Sequence, residues 1–163
     1  MQIIEYEDNY LGDVKSLLTE LEEYIVSIDK DSLDHVHSDY YGKMALIDLD
    51  EVKNNDGKCY LAIDDGNVIG LIMGIVISFS EYDYLDYKCP KEGKITELIV
   101  SKNARSKGVG KQLIQRIEDY FKNIGCEYIL VDVFAYNDIA IDFYNDVGFH
   151  PRMITNIKKI KTK

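Results

Sequence analysis

The 163-residue sequence has no tryptophan, two prolines, three cysteines, and 19 lysines and arginines against 29 acids. Each scarcity excludes something. Pro90 and Pro151 stand alone, and no low-complexity stretch or internal repeat appears, so a single domain over residues 1–163 is expected. Cys59, Cys89 and Cys126 are odd in number and widely spaced. Free thiols are therefore expected, rather than a disulfide framework or a zinc site. No apolar run reaches the roughly 18 residues of a membrane span. The longest, Val68 to Ile77, is broken by Gly70 and Gly74. The opening MQIIEYEDNY turns acidic at once and lacks the basic-then-apolar plan of a signal peptide, so the cytoplasm is the expected compartment. A net charge of −10 argues against nucleic acid and favours cationic partners, although acidity also serves solubility. His35-x-His37 reads as a polar loop, and no metal is expected.

What is present is patterned. Residues 3–7 read as a short strand. Residues 9–28 read as a helix, with Val14, Leu17, Leu18, Leu21, Ile25 and Ile28 at helical spacing. An acidic loop leads to a second helix over 44–53. Residues 59–63 and 67–79 form two strands joined by a tight turn at Asp65, Gly66 and Asn67. A tyrosine-rich acidic connection over 80–90 precedes a central strand over 94–100. The clearest helix covers 108–124, with Val109, Leu113, Ile117, Phe121 and Ile124 on one stripe and Gly125 after it. Residues 128–134 suit a core strand. Asn137 caps a short helix, Gly148 stops it, and Phe149 starts a last strand. Mixed strand and helix order with an early hairpin indicates an α/β fold whose central sheet is only partly parallel and is flanked by helices.

The informative stretch is ITELIVSKNARSKGVGKQLIQRIEDY, residues 95–120. A strand runs into a turn rich in glycine and cations, and the turn opens a helix. The first amides of a helix lack internal partners and carry partial positive charge, so this geometry suits an anion. Glycine lets phosphate oxygens approach, and Arg105, Lys107 and Lys111 reverse the sign of an otherwise acidic protein. The P-loop pattern is absent because Gln112 follows Gly110-Lys111. The dinucleotide fingerprint is absent because Leu113 holds its last glycine position. A plain strand-turn-helix with solvated cations is the bland alternative.

Val100-x4-Arg105-x2-Gly108-Val109-Gly110, followed by Leu113, resembles motif A of the GNAT acetyltransferases. Asn137-x2-Ala140-x2-Phe143-Tyr144-x3-Gly148-Phe149 resembles their motif B. Lys102 and Ala104 depart from the commonest pattern, but neither removes an amide donor. The resemblance implies the GNAT acyl-CoA N-acyltransferase fold, with acetyl-CoA as co-substrate and an amine as acceptor. It also implies that amides of Arg105, Ser106, Lys107, Gly108, Val109, Gly110 and Lys111 cradle the pyrophosphate. The pantetheine arm would lie along the preceding strand, with a backbone amide among Leu98, Ile99 and Val100 meeting the thioester oxygen where the central strands splay. Asn137 would bond that arm or act purely as a helix cap.

Glu97 is the sole acid in its apolar run, at a position often acidic in the family. It is the candidate general base, acting through water; the alternative is an exposed or ion-paired strand residue. Tyr144 is the candidate acid for the departing thiol, or else a core aromatic. The acceptor is expected to be a small-molecule or peptide amine, and polycationic: a polyamine, an aminoglycoside-like sugar or a peptide amine. The reason is that two loops pair acids with tyrosines: Asp29, Asp31, Asp34, Asp39, Tyr40 and Tyr41, then Glu81, Tyr82, Asp83, Tyr84, Asp86 and Tyr87. Solvated loops in an acidic protein are the alternative. A non-catalytic acyl-CoA-binding module on the same fold is the competing function. A homodimer through the strand from Phe149 is the expected assembly if there is one.

Overall fold

In the computed structural model, residues 1–160 are described. The order is β1 (Gln2–Glu5), α1 (Leu11–Ile28), α2 (Tyr40–Asn54), β2 (Lys58–Asp64), β3 (Asn67–Val76), β4 (Glu92–Val100), α3 (Val109–Asn123), β5 (Tyr128–Val131) and α4 (Asp138–Asp146). The strands form one sheet in chain order. β1 to β4 pair antiparallel, and β5 joins β4 in parallel. The fold is thus α/β with a mixed central sheet. Among the described residues no helix is long and apolar enough to cross a membrane.

Both faces of the sheet are covered, so β2 and β3 read as near-continuous apolar runs. Leu61, Leu71, Met73 and Ile99 face α1 and α2, packing on Val14, Leu17 and Leu18. Tyr60, Ala62, Ile72 and Ile95 face α3. The predicted α3 stripe is the buried one: Val109, Leu113, Ile117 and Phe121 are each at most 2% exposed. Phe121 lies flat on the sheet, because a Cβ at Gly74 or Gly93 would come within 2.8 Å of its ring. Burying a ring of that size stabilises by roughly 3 kcal/mol. The β2–β3 turn has Asp65 at φ 48 and Gly66 at φ 78, both left-handed, as a two-residue hairpin requires.

Several boundaries differ from the sequence expectation, each for a tertiary reason. α2 begins at Tyr40 instead of 44, because the Tyr40 ring is drawn under α1, where its hydroxyl donates to the Leu18 carbonyl at 3.5 Å. β3 stops at Val76 instead of 79, since its antiparallel partner β4 begins only at Glu92. Residues 128–134 were expected to be a core strand. β5 instead spans four residues at the sheet edge, with Tyr128 60% exposed. The strand expected from Phe149 is not formed among the described residues. Phe149 packs edge-on to Tyr144 at 5.4 Å, and beyond it Met153 and Ile154 stand exposed with no partner strand. Lys161, Thr162 and Lys163 lie outside the described residues.

Candidate active site

Two irregularities in β4 create the site. The first is a bulge. Ile95 pairs with Gly74 but Glu97 pairs with Met73, so Thr96 is an extra residue. A bulge re-aims the side chains beside it. Ile95 faces α3, and Glu97, two residues on, is turned toward α1 and α2. The second irregularity is a splay. β5 pairs with β4 only from Glu92 to Ile95, so Thr96 to Val100 have a strand on one side alone. The Ser101 amide donates to the Ile69 carbonyl at 3.0 Å, which sets the hydrogen-bonding phase. By alternation the Ile99 amide serves β3, while those of Leu98 and Val100 point into the open side. Ile99, named with them from the sequence, pairs with Leu71 of β3 and its side chain is 3% exposed, so of the three its amide is the one turned away from the open side.

The turn after β4 presents a row of outward-facing amides. Ser106 (φ 61) and Gly108 (φ 78) are both left-handed, and Gly108 begins α3 with no side-chain cap. The first backbone bond into the helix is Gln112 N–H to Gly108 C=O at 3.2 Å, which leaves the amides of Val109, Gly110 and Lys111 facing outward. The two glycines have different reasons. A Cβ at Gly108 would touch nothing, so its φ alone requires glycine. A Cβ at Gly110 would sit 3.2 Å from the Phe143 ring, so Gly110 lets α4 pack on α3. Backbone conformation and helix packing are thus reasons for these glycines in addition to the access expected for a phosphate.

These reasons predict a matched pair of variants. Gly108→Val and Gly66→Val share a φ of 78 and an empty surround. Both are expected to lower stability by about 1–2 kcal/mol. Only Gly108→Val should weaken coenzyme A binding, by tenfold or more, as read by calorimetry.

Arg105 does not reach outward as a free rim charge. Its Nε donates to the Val100 carbonyl at 3.0 Å, its guanidinium lies 3.6 Å from Glu20 of α1, and it faces the Tyr24 ring at 5.9 Å. Lys107 and Lys111 are exposed beside the amides. Across the groove, Asn137 is 8% exposed and caps α4, its Oδ1 accepting from the Ala140 amide at 3.1 Å and from the Tyr24 hydroxyl at 3.3 Å.

Glu97 and Tyr144 are brought together. Burial and then the Glu97 charge raise the Tyr144 phenol well above its ordinary value, so it stays protonated. Glu97 itself is pushed up to about 8, first by burial and then by the charges of Asp48, Glu22 and Glu51. Asp48 rises to about 6 through burial and Glu51. Glu22 is raised by burial and by Asp34, against a lowering from His35. Tyr40 is raised by burial, Glu22, Glu97 and Asp48. Among the described residues no lysine or arginine pairs with any of these carboxylates. The Thr96 hydroxyl, at the bulge, is buried without a partner.

Sequence reasoning placed the acids in loops. Many loop acids are instead used locally. Asp29 accepts the amides of Asp31, Leu33 and Asp34, which holds its carboxyl below the ordinary range. Asp83 is bonded by Ser80 and is lowered likewise, and Asp39 pairs with Lys43 at 2.6 Å. Tyr40 does join the cluster. The acids crowding Glu97 come from the helices: Glu22, Asp48 and Glu51. Their signal was in the pattern, since Glu22 follows Val14 and Leu18 at four-residue spacing and Asp48 lies between the buried Ala45 and Val52. Acids on an apolar stripe are what a site requires and a core does not.

A family model described as the acetyltransferase (GNAT) family matches residues 17–149. The chain belongs to the GNAT acetyltransferase family. Its likeness to an uncharacterised N-acetyltransferase of Methanocaldococcus jannaschii is 33% identity over 96 residues, covering 58% of this chain and 54% of that protein. The match thus spans about half the length of that relative. A point mutant of the BH1408 protein from Bacillus halodurans superposes with a TM-score of 0.86 at 18% identity, over 99% of this chain and 100% of that one. The aminoglycoside acetyltransferase AAC(6')-Iy, in complex with the bisubstrate analogue CoA-S-monomethyl-acetylneamine, superposes at 0.70 with 20% identity and 98% of both chains covered. At these identities the two structures establish the GNAT fold.

Proposed function

We propose that the chain is an N-acetyltransferase that moves the acetyl group of acetyl-CoA to an amine carrying more than one positive charge. The observation that carries this reading is the cluster of Glu22, Asp48, Glu51 and Glu97, which no lysine or arginine among the described residues neutralises and which lies on the α1 and α2 face where β4 splays. The residues fit coenzyme A. The amides of Val109 to Lys111 suit its pyrophosphate, and those of Leu98 and Val100 are unpaired along the open edge of β4.

Acetyl-CoA supplies an acetyl group activated as a thioester. The protein does the rest. An alkyl amine near pKa ~10.4 is almost wholly protonated at neutral pH, so a base is needed. Glu97, raised to about 8, has a basicity matched to that task. The unpartnered Thr96 hydroxyl beside it supports a bound water as relay. The Leu98 or Val100 amide donates to the oxygen that gains charge. Tyr144 holds its proton on Oη and delivers it to the sulfur. Transfer from an unshifted phenol near ~10 to a thiolate near ~8.5 is uphill by roughly 2 kcal/mol, and the burial that raises the Tyr144 phenol adds to that cost. Glu22, Asp48 and Glu51 hold the acceptor's other charges, because carboxylates crowding the reacting nitrogen would keep it protonated.

Steady-state rates on a panel of monoamines, diamines, polyamines, aminoglycoside-like sugars and peptide amines test the reading. Polycations are expected to show the highest kcat/KM. Equal rates on neutral and polycationic acceptors would overturn the acceptor assignment, and tight coenzyme A binding with no turnover on any amine would indicate a non-catalytic acyl-CoA-binding module.

A further inference from the structure

Tyr24 lies in the C-terminal part of α1, on neither motif, and its side chain touches both walls of the groove. Its hydroxyl donates to Asn137 Oδ1 at 3.3 Å, a contact across 113 residues of sequence. Its ring lies 5.9 Å from the Arg105 guanidinium, near the limit for a cation–π contact. Arg105 is itself tied to the Val100 carbonyl, on the open side of β4, and to Glu20 one turn earlier on α1. Glu20 also accepts the Lys102 amide at 3.3 Å. A single helix thus grips the anion-binding turn through Glu20 and Arg105, and the start of α4 through Tyr24.

The bond to Asn137 has a directional consequence. A side-chain amide presents an acceptor one way and a donor the other. Two donors, the Ala140 amide and the Tyr24 hydroxyl, meet Oδ1. Nδ2 is thereby turned the other way; it has no partner among the described residues and is not sealed from solvent. The cap bond alone would be served equally by a serine. The second donor is what makes asparagine, with a particular face outward, the outcome.

We propose that Tyr24 is a positioning residue for the cofactor groove, aiming the Asn137 amide into it and seating Arg105 at its mouth. This rests on the acetyl-CoA reading. Tyr24 touches neither reacting group, so its effect is transmitted through Asn137 and Arg105.

Calorimetry with coenzyme A on the full chain tests it, using wild type, Tyr24→Phe, Asn137→Ser and the double variant. Serine keeps an oxygen for the Ala140 amide but has no amide donor. Tyr24→Phe is expected to weaken coenzyme A about five- to tenfold, the scale of one oriented hydrogen bond. KM for acetyl-CoA should rise more than kcat falls, and Tm should move by less than about 2 °C. The double variant should bind no more weakly than Asn137→Ser alone, because the hydroxyl acts through Nδ2. Wild-type affinity in Tyr24→Phe, or losses that add in full in the double variant, would overturn the proposal. If wild type itself binds no coenzyme A, the acetyl-CoA reading falls first and this proposal with it.

Discussion

Replacing Glu97 by glutamine is expected to lower kcat/KM by about 10²–10⁴-fold and, at the same time, to make the protein more resistant to alkaline unfolding. Both effects come from one cost. Burial and the neighbouring charges of Asp48, Glu22 and Glu51 push the Glu97 carboxyl from an ordinary 4.5 up to about 8. Between those values the folded state binds a proton that the unfolded chain has released. Stability therefore falls as pH rises from about 4.5 to 8, and it is lowest where the base is ionised and active. At about 1.4 kcal/mol per unit the full displacement is worth roughly 5 kcal/mol, and partial solvent screening brings the fall attributable to Glu97 to on the order of 2–4 kcal/mol. Asp48, raised to about 6, steepens the acid half of the same window.

Urea unfolding at pH 5 and pH 9 should show a smaller fall in Glu97→Gln than in wild type. With an acceptor amine that is neutral throughout, wild-type kcat/KM should climb with pH toward a plateau above about 8. The variant should show no such climb. A Glu97→Gln enzyme with near-wild-type activity and an unchanged profile would remove Glu97 from the chemistry.

The second large effect concerns the acceptor. Asp48→Asn with Glu22→Gln is expected to raise KM for a polyamine about 100-fold, while KM for a monoamine moves by only a few fold. Two opposite charges about 4 Å apart are worth about 1 kcal/mol in water and roughly 4 kcal/mol near a protein surface, so about tenfold per carboxylate is a moderate expectation. The same pair of substitutions removes repulsion from Glu97, whose carboxyl should then titrate lower. The rise in kcat/KM would accordingly shift to lower pH even as polycation affinity drops. Equal losses on mono- and polyamines would mean that these acids shape the pocket without selecting charge.

Some of this was legible in the residues. The α3 stripe from Val109 to Phe121 has a period that only a helix satisfies, and glycine at 108 meets a left-handed turn that other residues adopt at a cost. Both facts are local, so spacing alone reveals them. Glu97 stood out because it is the sole carboxylate in an apolar strand, where burying a charge is costly. Its companions were harder to see. The loop acids drew attention through density, yet density carries no information about direction, and Asp29 and Asp83 spend their oxygens on neighbouring backbone and hydroxyl groups.

What the sequence by itself determined was therefore the helices, the β2–β3 hairpin and the glycine turn that opens α3, since these follow from period, capping and backbone conformation over a few residues, whereas the strand expected from Phe149 lacked any partner. The tertiary structure alone decided which carboxylates crowd Glu97, which β4 amides are left open and what holds Asn137. Each of those depends on pairing between segments far apart in the chain: one extra residue at Thr96 and four residues of β5 set the open edge, and α1 closes over it. A bulge and a short strand change no local propensity, so they leave no mark in composition or spacing. Their consequences appear only once the strands are laid side by side.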